Sequence, residues 1–117
     1  MSGLSDQVGW VFTFWVDPAN DAETEQVMRE IFDAMAEEEF PNGEVITYTA
    51  YRVPEEPGKW VMFEHFTQQG SDQHAKGPKL QEIGAKLTAL MVQPYTRMEM
   101  QPVMTQGCGE PIAVRAS

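Results

Sequence analysis

The chain has one cysteine, Cys108, two histidines, and only eight basic residues against eighteen acidic ones. A single cysteine makes no internal disulfide, which fits a reducing, cytoplasmic setting. Two histidines and one cysteine do not fill a four-ligand structural zinc site without help from carboxylates. The shortage of basic charge leaves a net charge of −10, which repels phosphate backbones and argues against nucleic-acid binding. Long hydrophobic runs are missing too. The longest, residues 8–16, is interrupted by Gly9 and Thr13 and falls far short of the about 20 residues a membrane helix needs. Residues 1–6 hold neither a basic region nor an apolar segment, so neither a signal peptide nor a membrane partner is expected.

What is present suits one globular domain. The 117 residues are 42% hydrophobic and 22% charged, near the usual soluble balance. Charge is unevenly spread: residues 17–39 hold nine acidic residues and one basic one, Arg29, whereas residues 76–97 hold four basic and one acidic. The acidic block reads as a solvated helix face, bearing on solubility and steering more than on chemistry.

Residues 8–16 are rich in β-branched and aromatic side chains and predict a strand. Trp10, Phe12, Phe14 and Val16 share one face; Val11, Thr13 and Trp15 share the other. Asn20 with Glu23 reads as a capping box. Behind it, Val27, Met28, Ile31, Phe32 and Met35 recur at helical spacing until Phe40-Pro41-Asn42-Gly43 stops the helix. Residues 45–53 and 60–66 predict two hairpinned strands around Pro54-Glu55-Glu56-Pro57-Gly58. A short helix is expected at residues 71–75. Pro78 opens a longer one, with Leu80, Ile83, Gly84, Leu87, Leu90 and Met91 on its stripe and Pro94 as its stop. Residues 95–101 alternate as a last strand.

This order, βαββαβ, predicts an α+β, ferredoxin-like fold with an antiparallel four-stranded sheet and helices on one face. Residues 1–7 are expected as an N-terminal extension, 8–103 as the domain and 104–117 as a tail. Every strand has apolar residues on both faces, so a monomer would leave a large apolar sheet face bare. A homodimer packing sheet on sheet is therefore expected.

An aromatic strand ends at a Pro turn, followed by an amphipathic helix, Pro41-Asn42-Gly43 and a Tyr-containing strand. Then come Phe63-Glu64-x-Phe66, a polar stretch with His74, the break Gly77-Pro78 and an apolar helix. In that order these residues resemble the antibiotic biosynthesis monooxygenase superfamily of dimeric α/β barrels, across about residues 8–103. The resemblance implies oxidation of a small aromatic, quinol or polyketide-like molecule by O₂ with no cofactor: no haem, flavin or metal. It departs from the haem-degrading branch, since Phe12 stands near that branch's first-strand Asn and Gly84 near its helix His. The third-strand motif also carries Phe66 where an indole is the commoner partner.

The resemblance makes His74 the candidate base, since an imidazole titrates near physiological pH. The other reading has it hydrogen-bonded to Glu64 or a helix terminus, holding the short helix on the sheet. Glu64, a carboxylate within an apolar strand, is costly unless paired. It is either the orienting partner of His74 or part of a structural ion pair. Trp10, Phe12, Phe14 and Phe66 are candidate substrate-binding aromatics or core. Arg97 is a candidate for a substrate oxyanion, or pairs with Glu99 on the same strand face. His65 projects to the opposite sheet face, toward the expected interface, and Tyr48 and Tyr51 fall on opposite faces. Three functions remain open: the oxygenase; a small-molecule binding or lyase/isomerase-type protein on the same fold; and a non-catalytic dimerisation module.

Overall fold

The computed structural model describes residues 6–104. Cys108 and the tail beyond Met104 lie outside the described residues, as do residues 1–5 of the expected extension. The elements run β1 (Gln7–Trp15), α1 (Asp21–Glu38), β2 (Val45–Arg52), β3 (Lys59–Thr67), α2 (Gln68–Gln73), α3 (Pro78–Leu90) and β4 (Thr96–Met100). The strands form one antiparallel sheet in the order β2-β3-β1-β4. That is the α+β, ferredoxin-like plan read from the sequence.

The two long helices pack on one face of the sheet. Phe14 of β1, Val16 just after it, and Trp60, Met62 and Phe66 of β3 meet Val27, Met28, Ile31 and Met35 of α1 and Leu80 and Leu87 of α3. The β2–β3 turn closes tightly on β1, where the Val16 N–H donates to the Gly58 carbonyl at 2.8 Å. Gly58 has φ +92°, and a Cβ there would lie 2.3 Å from the Val16 carbonyl oxygen. Only glycine fits.

Three local expectations are corrected. Asn20 makes no side-chain cap, because Pro18 starts a single 3₁₀ turn (Pro18–Asn20) that leads directly into α1. Asp17 caps that turn, accepting from the Ala19 N–H, and the Thr24 hydroxyl donates to the Asn20 carbonyl. The short helix starts at Gln68 rather than Ser71, since Thr67 caps it by accepting from the Gly70 N–H at 2.9 Å. The last helix ends at Leu90, before Pro94, because Met91 bridges to Val16 and the Val92 N–H donates to the Trp15 carbonyl.

The acidic block is more than a solvated face. Glu37, Glu38 and Glu39 stand at the C-terminal end of α1, where the helix dipole disfavours carboxylates, and each has a partner on the chain that packs there. Glu37 pairs with Lys79; Glu38 accepts from the Lys79 and Leu80 N–H groups and so caps α3. Glu39 reaches His74. Farther along the two helices Lys86 meets Glu30 at 3.3 Å. The basic segment and the acidic one thus face each other, with α1 and α3 antiparallel.

On the other sheet face, Tyr51, Phe63, Met98 and Met100 are exposed and no described helix covers them. No helix among the described residues is long and apolar enough to cross a membrane.

Candidate functional site

Between the helices and the sheet lies a cavity of about 360 Å³, walled by Phe12, Ile31, Tyr48, Met62, Leu80, Leu87, Met91 and Tyr95. Its polar groups are Glu64, Ser71, His74, Gln81, Thr88 and Arg97. The size is within the range of small-molecule pockets, and the mix of apolar wall and few polar groups is typical of them.

His74 is held from two directions. Its Nδ1 lies 2.9 Å from Oε1 and 3.2 Å from Oε2 of Glu39, and the Ala75 N–H donates to the same carboxylate at 2.8 Å. The Phe66 ring packs on the imidazole with centroids 4.8 Å apart. Ala75 has φ +61°, a left-handed conformation that costs a non-glycine residue about 1 kcal/mol or more. Glu39 holds that strained turn in place. A carboxylate only accepts, so Nδ1 carries a proton toward Glu39; in the neutral ring the lone pair is then on Nε2, which faces the cavity.

Across the cavity stands Glu64, 4% exposed. Its Oε1 has no hydrogen-bond partner among the described residues, while His74 Nε2 and Arg97 Nη2 each lie 4.0 Å away. Burial pushes the Glu64 pKa up, against the opposing pull of His74 and Arg97. The Tyr48 phenol is raised well above its usual value, first by burial and then by the Glu64 and Glu39 carboxylates. At neutral pH it is a neutral donor. The Arg97 guanidinium lies 3.9 Å over the Trp10 ring, whose Nε1–H donates to Ser71 Oγ at 2.9 Å.

The structure brings together His74, Glu64, Phe12 and Arg97. It does not bring Phe14, Phe66 or Trp10 to the wall. Phe14 and Phe66 are fully buried; Phe14 stacks on Trp60 in the core and Phe66 backs His74. Trp10 lies behind Arg97 as its platform. Glu64 is not the residue that orients His74; Glu39 does so, because the end of α1 abuts the end of α2. Arg97 does not pair with Glu99 but lies toward Glu64. His65 lies on the far sheet face, with Nε2 2.7 Å from Gln7 Oε1, and burial lowers its pKa. Among the described residues, no group of three His, Cys, Asp or Glu side chains is placed to hold a metal.

Glu39 escapes a reading of the sequence because it ends an acidic run. Its signal is electrostatic: a carboxylate at the wrong end of a helix dipole calls for a donor nearby. Tyr95, in ring contact with Phe12 at 4.7 Å, has no signal beyond its place as the first residue of the expected last strand, which in the structure starts at Thr96.

No family model matches the chain, and no curated protein matches it significantly. Solved structures do share its fold. A candidate antibiotic biosynthesis monooxygenase from Caulobacter crescentus has a TM-score of 0.77 at 20% identity, covering 86% of this chain and 93% of that one. Rv0793 from Mycobacterium tuberculosis gives 0.72 at 17% identity, with 86% and 99% covered. A point mutant of SnoaB, a cofactor-independent oxygenase from Streptomyces nogalater, gives 0.68 at 18% identity, with 90% and 99% covered. The fold is that of the antibiotic biosynthesis monooxygenase proteins.

Proposed function

We propose that the chain is a cofactor-independent monooxygenase that oxidises a small phenolic or quinol substrate with O₂, working as a homodimer. The observation that carries this reading is the fixed imidazole. His74 has Nδ1 tied to Glu39 and Nε2 turned into an apolar-walled cavity, opposite a buried carboxyl that has no hydrogen-bond partner among the described residues. SnoaB, on the same fold, is described as a cofactor-independent oxygenase.

The chemistry needs little more than this. Nε2 takes the proton of a bound hydroxyl, and the resulting phenolate is electron-rich enough to pass one electron to O₂. Superoxide and the aryloxyl radical combine at a ring carbon to give a hydroperoxide. Its O–O bond breaks as the ring C–H proton leaves; one oxygen stays as a quinone carbonyl and the other departs as water. The substrate supplies all four electrons, so no external reductant is required. In this reading Glu64, its pKa raised by burial, protonates the departing oxygen, and the apolar lining of the cavity lessens contact of the radical pair with water. A homodimer accounts for the bare sheet face, on which Tyr51, Phe63, Met98 and Met100 are all exposed.

Oxygen consumption with a panel of naphthols and hydroquinones tests the reading. Uptake stoichiometric with quinone formation, with chelator-treated protein as active as untreated, supports it. No uptake with any member, from a protein that binds them, contradicts it.

A second reading has one observation of its own. Glu39 ties both the His74 ring and the Ala75 N–H, which suits a latch joining α1 to α2 in a protein that binds a small molecule without oxidising it.

A further inference from the structure

Two gaps in the cavity share one vertex. Glu64 Oε1 is buried and unpartnered among the described residues, yet His74 Nε2 and Arg97 Nη2 both stop 4.0 Å short of it. Two hydrogen bonds of about 2.8 Å that meet on one inserted oxygen span about 4.0 Å at an angle of roughly 90°. Each gap can therefore take one oxygen in a sharply bent bridge. A buried polar atom left unpaired is costly; with the Glu64 carboxyl protonated, the form its burial favours, Oε1–H donates to the ligand oxygen on the Arg97 side and that contact removes the deficit.

The partners differ in kind. On one side stands an imidazole nitrogen that accepts, so the oxygen entering there is a hydroxyl that donates. On the other side stands a guanidinium that only donates, so the oxygen there accepts. Arg97 is also the only cation among the residues described in the cavity wall. Its guanidinium, 3.9 Å over the Trp10 ring, makes no hydrogen bond to a described residue, and its side chain is 36% exposed at the rim. A guanidinium backed by an aromatic ring keeps its N–H fork free for a carboxylate, which can take it bidentately. Because both gaps open on the same Glu64 oxygen, the two ligand oxygens must be near neighbours.

We propose that the ligand of this site is an aromatic acid whose hydroxyl is adjacent to its carboxylate, with the hydroxyl at His74 and the carboxylate at Arg97. This rests on the reading of the cavity as the substrate site and narrows its substrate class. It makes Arg97 a specificity-determining residue. The carboxylate stays outside the oxidation steps, and the ring between the two oxygens lies against Phe12 and Tyr95.

The test is binding without turnover. Three probes, 1-hydroxy-2-naphthoate, 1-naphthol and 2-naphthoate, are titrated calorimetrically into the protein under argon. The hydroxy acid is expected to bind about tenfold more tightly than either single-function probe, the worth of one charge-assisted contact. Arg97→Gln is expected to bring the hydroxy acid down to the level of 1-naphthol and to leave 1-naphthol within about twofold, with Arg97→Lys between the two. Equal affinity for 1-naphthol and the hydroxy acid overturns the proposal, as does a preference that survives Arg97→Gln, or no binding of any probe. Oxygen uptake, read separately, divides the two claims. Tight hydroxy-acid binding with no uptake keeps this proposal and rejects the oxygenase. Turnover of 1-naphthol with no gain from the carboxylate does the reverse.

Discussion

At the scale of single residues, Glu64 is the group furthest from its preferred state. Desolvation raises its pKa above the ordinary value of 4.5. An acid raised in this way contributes its full stability below the ordinary carboxylate range and loses it as pH rises through the elevated value. Glu64→Gln should therefore raise the melting temperature at pH 8 and lose that advantage by pH 4, each unit of elevation being worth about 1.4 kcal/mol. Melts across that range check it; a variant less stable at pH 8 would mean that Arg97 and His74 more than offset the burial. The sequence made this oddity legible, since a carboxylate between Phe63 and Phe66 in a strand is conspicuous. It did not say which acid holds His74. Glu39 is one of three consecutive glutamates, and only the docking of the end of α1 against α2 separates it from its more solvated neighbours.

At the scale of elements, α3 contains a residue that propensity alone does not explain. Gly84 costs about 1 kcal/mol relative to alanine inside a helix, yet nothing lies within 4 Å of where its Cβ would be. The space it leaves is part of the cavity. Gly84→Ala should then stabilise the fold by up to about 1 kcal/mol, whereas Gly84→Leu should fold normally and weaken naphthol binding by filling the pocket. Calorimetric titration beside thermal melts separates the two effects; unchanged binding in Gly84→Leu would remove the helix from the ligand site. The strand and helix types were readable because their periods are strong, as in Val27, Met28, Ile31 and Met35. Their ends were not. Whether Asn20 caps a helix depends on the turn Pro18 makes before it, and where α3 stops depends on Val16 capturing Met91.

For the whole molecule, the antiparallel βαββαβ plan followed from element order, and the bare sheet face from apolar residues alternating on both sides of the strands. What the alternation could not give was which aromatics reach a cavity. Phe12 and Phe14 share a face, but Phe14 lies under α1 and α3 while Phe12 lies where the layers part. If the bare face is a dimer interface, Phe63→Glu, at a side chain 45% exposed in one protomer, should give a folded monomer by light scattering. A wild type that is itself monomeric would contradict the dimer.

The central claim is that His74 acts as a base and not only as a latch, and one paired measurement on His74→Ala tests it most directly. Quinol turnover by oxygen electrode and the thermal melt are recorded on the same preparation. Turnover is expected to fall by about 100-fold or more, the usual worth of a positioned base, while most of the protein stays folded at the assay temperature. Turnover that declines only in proportion to the folded fraction would contradict it and leave His74 as the pin between α1 and α2.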